Sequence, residues 1–500
     1  MRCQLLCLAV ITSAVSLSAA GDLRLIQAVK AQDEASVRAL LKLRVDVNAQ
    51  QGDGATALHW AANLDNLALT DLLIRAGARV DAANDLGSTP LHLACTNRSA
   101  PMVDRLLAAK ANANAKLLNG ETVLMTCART GDAKAVKALL VHGADSKAKE
   151  QEHDQTALMW AAAQVHPDVV AMLIEFGADV RARSRTYSQT VVGEQTQRAG
   201  REKLNYDVVR GGSTPLLFAA RTGDAESAKL LLAAGADVND SLPDGTSALV
   251  LAAHSGQGNV AALLLEKGAD PNALGSGYTA LHAAVLRSDL NLVKALLAHK
   301  ADPNIRMTKG TPVRRDTMDF NLLAPLVGST PYLLAAKFLE PEIMRTLAAA
   351  GADPKVTMPN GDTALMLAAG MASGTVESRR GIALIDFGRV ETDAQVLPTV
   401  SAAFNLSGEV NATNQAGDTA LHAAVSHRYE AVVRFLADHG ADVNAKNNGG
   451  RTPLAVLMTG GKAGKPVVLA SADRAIYGDE FAAGATVRLA ALLRQLGATE

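Results

Sequence analysis

The sequence predicts an all-α solenoid of about 12 helix-turn-helix units, the first of them a degenerate N-terminal cap. Three observations predict it. A short motif recurs: Thr56 opens TALHWAA, Thr89 TPLHLAC, Thr122 TVLMTCA, Thr156 TALMWAA and Thr214 TPLLFAA. The series continues from Ser247, Thr279, Thr330, Thr363, Thr419 and Thr452. Successive starts lie 33, 33, 34, 58, 33, 32, 51, 33, 56 and 33 residues apart, a fixed period broken only by insertions. A glycine keeps time with the motif, 21 residues after seven of the starts, at Gly77, Gly143, Gly177, Gly235, Gly268, Gly351 and Gly440. Finally, 48% of the 500 residues are hydrophobic but only 3% aromatic, so the core must be alanine, leucine and valine, as in stacked short helices. Such a length would ordinarily imply several domains, but a solenoid has no single core that must stop growing.

The elements follow in order. Residues 1–20, MRCQLLCLAVITSAVSLSAA, carry one positive charge, an apolar run from Leu5 to Leu17, then small residues. Ser18 and Ala20 suit a signal-peptidase site, with a mature start near Gly21 and an uncleaved anchor as the alternative. Export to a periplasm or the extracellular space is therefore expected. The run is short for a transmembrane helix, and no other segment qualifies, so no stable membrane span is expected after cleavage. Residues 21–50 read as the capping helix pair, which has VDVNA but lacks the Thr-x-Leu start.

Residues 51–180 hold regular units. Thr56 sits where an N-cap belongs, its hydroxyl able to accept from amides of the next turn. Pro90, Pro215, Pro331 and Pro453 suit the first helical position, where no amide partner is lost. Leu58, Ala61 and Ala62 give the first helix a face of small residues that lets a neighbour approach. A second helix, ALTDLLIRA in this unit, ends at Gly77, a natural left-handed cap. Turn residues then return the chain to the next threonine. Regular units resume over 213–304 and 330–500.

Four insertions interrupt them. Residues 181–212 and 305–329 extend the segment between repeats, here called the finger. The other two, near 370–390 and 460–484, add 24 residues each between the two helices of a unit, because Thr363 to Gly408 and Thr452 to Gly497 span 45 residues instead of 21. An independent catalytic domain is typically upwards of about 50 residues, so none of the four hides one.

DGATALHWAA followed by GA, and GSTPLHLAC, resemble the ankyrin repeat, whose pattern is T-P-L-H-x-A within 33 residues. The resemblance covers nearly all of the chain after residue 21, with eleven recognisable units. Departures are Lys110 and Lys300 in place of the glycine, and histidine kept only at His59, His92, His282 and His422. The resemblance implies that these histidines tie down a neighbouring turn rather than perform chemistry, and that the fingers line a concave binding side.

The remaining composition is plain. A net charge of −1 and a pI near 6.8 give no general reason to bind nucleic acid. No Cys-x-x-Cys, HExxH, GxSxG, GxGxxG or P-loop pattern occurs, so no catalytic residue, cofactor or metal ligand is expected. Glu152–His153–Asp154 reads as a solvated turn. Cys95 and Cys127 read as small buried residues on adjacent first helices, because helix axes about 8–10 Å apart exceed the reach of a disulfide.

The expected function is a non-enzymatic scaffold for a protein or peptide partner, acidic in character. The first finger carries seven basic residues against three acidic, the second four against two. The partner-binding candidates are Arg198, Arg201, Lys203, Arg210, Arg306, Lys309, Arg314 and Arg315, with Trp60, Trp160 and Phe218 edging the groove. The alternative is a small-molecule or catalytic site beneath the basic fingers. A polar cavity there would favour it, and an open groove would favour the scaffold.

Overall fold

A computed structural model describes residues 22–193, 204–311, 322, 324–371, 392–459 and 484–499. The signal-like segment 1–20 lies outside them, as do 372–391 and 460–483 of the inter-helix insertions.

The described repeats are helix pairs, as the sequence predicts. Thr56 is extended, with φ −103° and ψ 174°, and its amide donates to Nδ1 of His59 at 3.1 Å. Where histidine is absent, Met125 and Met366 put sulfur in the same place, 3.4 and 3.5 Å from the amides of Thr122 and Thr363. The second helices are mostly nine residues long, and Asn66, Ser99, Asp132, Asp224 and Asp289 cap them by accepting a main-chain amide. They close on a left-handed residue. Gly77 and Gly143 have φ of 88° and 84°, and Lys110 and Lys300 adopt the same conformation at 67°.

The described chain forms two compact units, one up to Glu152 with Glu175–Ala178, the other His153–Ile174 with Asp179 onward. In the first, the helices Arg24–Lys30, Ala57–Asn63, Pro90–Thr96 and Val123–Thr130 stack in order. Glu34–Lys42, Leu67–Arg75, Ala100–Ala108 and Ala133–Val141 form a second layer on them. The second unit repeats this plan from Ala157–Ala163 to Pro453–Met458, with a 15-residue second helix at Asp393–Ser407. Leu58, Leu91, Leu124 and the intervening alanines are sealed in the seam. Burial of this apolar face against neighbours holds each marginal helix pair in place.

A ladder of amides ties finger to finger. Asn114 Nδ2 donates to the carbonyl of Gly143 at 2.8 Å while its Oδ1 accepts the amide of Asp145 at 2.8 Å. Asn48, Asn272, Asn304, Asn411 and Asn444 make the same pair of bonds to the next unit.

Two sequence expectations are corrected. Cys95 and Cys127 are joined in a disulfide, with Cα atoms 4.6 Å apart. The expectation measured between helix axes. Each Cα stands about 2.3 Å off its own axis, so facing residues on alanine-lined helices come well inside the axial separation. The first finger also departs from an all-α pattern, because it carries a two-stranded antiparallel hairpin, β1 at Tyr187–Gly193 and β2 at Leu204–Arg210.

Candidate binding surface around the first finger

The hairpin pairs Tyr187 with Arg210 and Gly193 with Leu204, so the described part of the finger is a two-stranded antiparallel ribbon within the second unit. Its root is tied down by arginines. Arg185 pairs with Asp154 at 2.8 Å, and its amide donates to the His153 carbonyl. The rings of His153 and Tyr187 meet edge-on at 5.8 Å. His153 and Asp154, read from the sequence as part of a solvated turn, thus hold the root of the finger.

Arg183 does more. Its guanidinium donates to the carbonyls of Gly212 at 2.9 Å and Ser241 at 3.0 Å and pairs with Asp240. Asp240 is buried and also accepts the hydroxyl of Thr214 at 2.5 Å. A buried carboxylate held by a cation, a hydroxyl and the Ser241 amide is fully satisfied. The second finger repeats the device. Arg306 donates to Gly328 at 2.7 Å and Thr357 at 2.9 Å, the equivalent carbonyls.

The candidate residues therefore divide. Arg306 is committed to the fold. Arg210 is half-buried and donates to Gln189 at 3.1 Å across the strands. Lys309 is exposed. Arg198, Arg201, Lys203, Arg314 and Arg315 lie outside the described residues. Trp160 and Phe218 are half-buried at the same register of two packed first helices in the second unit. In the first unit, half-buried Trp60 donates to Gln51 at 3.2 Å, and the Lys30 ammonium sits 4.1 Å from its ring centroid. That cation covers part of the ring from within the chain.

Two cavities open in the second unit. One, of about 390 Å³, lies at the root of the hairpin and is lined by Val180, Arg181, Arg183, Thr214, Asp237 and Asp240 among others. The second, of about 190 Å³, is mainly apolar and sits beside the second finger between Leu326, Leu334, Met358 and Leu367.

The histidines hold structural positions. Nδ1 of His59 accepts from Thr56, so the ring proton is on Nε2, which meets the Ser88 carbonyl at 2.9 Å. His282 and His422 likewise reach Ser329 and Arg451. Burial lowers all four of these histidine pKa values, to about 4 for His92 and His282. Among the described residues no cluster of His, Cys, Asp or Glu could hold a metal ion, and no helix is long and apolar enough to cross a membrane.

The family model for ankyrin repeats (3 copies) matches residues 25–116, 99–184, 199–275, 216–307 and 395–462, well over half the chain. The chain belongs to the ankyrin-repeat family. Ankyrin repeats are in general protein–protein interaction modules. The units at Thr330 and Thr363, between the last two matches, have the same capped first helix and stack with their neighbours in this ankyrin array.

Sequence reasoning missed the arginine anchors. The alignable spacing of Arg183 and Arg306, each four residues after the Asp of its GAD or KAD tripeptide, could have found them. It missed the hairpin as well, although Thr, Tyr and Val concentrate at 186–192 and 206–209.

Proposed function

We propose that this ankyrin-repeat protein is an exported, non-enzymatic scaffold that holds an acidic protein or peptide on its concave finger and inner-helix face. The observation that carries the reading is the second unit's first finger. The finger carries seven basic residues against three acidic and its root is fastened to Asp154, while Trp160 and Phe218 are half-buried on two packed first helices of the same unit. Aromatic and cationic side chains dominate interface hot spots. Arg183 and Arg185 anchor the finger, so the charge offered to a partner rests chiefly on Arg198, Arg201, Lys203 and Arg210, with Lys309, Arg314 and Arg315 on the second finger. Export is supported by the signal-like segment and by a disulfide between Cys95 and Cys127, since such bonds persist in oxidising compartments.

Reversing charge at Arg198, Arg201, Lys203 and Arg210 is expected to slow association with a partner captured from the envelope fraction by tenfold or more at low salt. An association rate unchanged at both low and high ionic strength would overturn the acidic-partner reading. Trapping free thiols with an alkylating reagent in intact cells tests export: Cys95 and Cys127 are expected to be blocked from reaction until reduced. One observation favours a second reading, a small-molecule site, and it is the polar cavity at the hairpin root.

A further inference from the structure

We propose that the cavity at the root of the first finger is a carboxylate-binding site, built where the amide ladder is broken by Arg181. The proposal deepens the acidic-partner reading and rests on it for the source of the carboxylate.

The ladder shows what this step lacks. At Asn48, Asn114, Asn272, Asn304 and Asn444, four residues after the left-handed cap, the amide group does two things at once. It donates to the carbonyl of the next cap residue and accepts the amide two residues further on, whereas Asn239 only accepts. At Asn272 these partners are the Lys300 carbonyl at 3.2 Å and the Asp302 amide at 2.8 Å. Asp81, which can only accept, still takes the amide of Asn112 at 2.7 Å.

Arg181 occupies this position in its unit. Its Nε donates to the Gly235 carbonyl at 2.9 Å, reproducing the first bond. Arginine has no acceptor, so the second bond cannot form. Among the described residues, the amide of Asp237 has no hydrogen-bond partner. One asparagine side chain spans both partners in the regular steps, so the open amide lies within a few ångströms of the Arg181 guanidinium.

Both residues line the 390 Å³ cavity. Arg183 and Asp240 are already matched to each other, and Asp240 also to Thr214, so the charges of the lining left without an ionic partner among the described residues are Arg181 and the exposed Asp237 carboxylate. Asp237 Oδ1 accepts the amide of its own turn from Asn239 at 2.9 Å. What the cavity offers is therefore one free main-chain donor beside the outer nitrogens of a guanidinium. A carboxylate supplies the missing acceptor to the amide and a charge-assisted pair to the arginine. The missing rung is in effect supplied by the ligand. A neutral amide would satisfy Asp237 but gain less from Arg181.

The carboxylate can come from an acidic side chain of a bound peptide or from a free small acid. Calorimetric titration of the full-length mature protein separates them, with succinate and an acetylated, amidated triglutamate as probes. The wild type is expected to bind at least one probe saturably. Arg181→Gln, which keeps an amide reaching Gly235 and adds an acceptor for Asp237, is expected to fill the gap itself. Its thermal midpoint should equal or exceed that of the wild type, and its affinity for the probe should fall tenfold or more. Arg181→Lys, which keeps the charge, should retain binding.

Equal affinity of Arg181→Gln and wild type overturns the proposal, and so does the absence of saturable binding of either probe to folded wild type. Loss of binding in both variants together with a lowered midpoint also overturns it, by showing that Arg181 only holds the fold. Binding of succinate alone supports the cavity and counts against the acidic-partner reading. Peptide binding that is blind to Arg181→Gln does the reverse.

Discussion

At the residue scale, the histidine of the repeat motif acts as a cap whose proton is placed by its neighbours. His282 is fully buried, accepts from the Thr279 amide through Nδ1 and faces the Ser329 carbonyl through Nε2. Protonating Nδ1 would turn an acceptor into a donor facing a donor. Burial holds the folded pKa near 4, below the ordinary value of 6.5, against the smaller upward pull of the Ser329 carbonyl. The native state therefore binds fewer protons than the unfolded chain between those values. Its contribution is fully present above about pH 6.5 and is lost as pH falls towards 4. Replacing His282 with Leu, the residue at the equivalent Leu217 and Leu333, should flatten the acid limb of the stability–pH curve by up to about 3 kcal/mol. Chemical denaturation of both proteins from pH 7 to pH 4.5 checks it, and parallel curves would refute it. The motif made this histidine legible. Val165 was not: it sits between helices with φ 61°, where Gly131, Gly223 and Gly256 stand in other units. A β-branched residue is strained there, so Val165→Gly should stabilise the fold by about 1 kcal/mol in the same assay.

At the scale of elements, the helices were legible because their caps and periodicity are local, and the fingers were not. The sequence showed that GAD is often followed by VN or PN, yet gave no reason for the asparagine, whose partners lie one repeat away. Asn272→Ala removes a donor and an acceptor from two main-chain groups at the surface. It should cost about 1–2 kcal/mol. Hydrogen exchange is expected to quicken at Asp302, and protection at Asp145, in the other unit, is expected to stay unchanged. The hairpin was hidden by its charge. Reading Arg and Lys residues as one basic surface overlooked that Arg183 and Arg185 fasten its root.

For the molecule as a whole, the 33-residue period dictated the architecture, because each unit needs only its neighbour to bury its face. Two properties escaped that reading. The division into units near Glu152 leaves the period unbroken, so nothing in the repeat announces it. The disulfide escaped because cysteine replaces alanine at two neighbouring buried positions of the motif, and size alone suits both residues.

That bond also changes how the chain yields to tension. Stretched from its ends, an array of stacked repeats gives up length one unit at a time. The 32 residues separating Cys95 from Cys127 cannot follow, since force along the backbone passes through sulfur instead. About 110 Å of contour is withheld from extension. In an optical trap, adding reductant should lengthen the fully extended first unit by that amount and leave the extension of the second unaltered. The covalent link makes two of its repeats a mechanical stop.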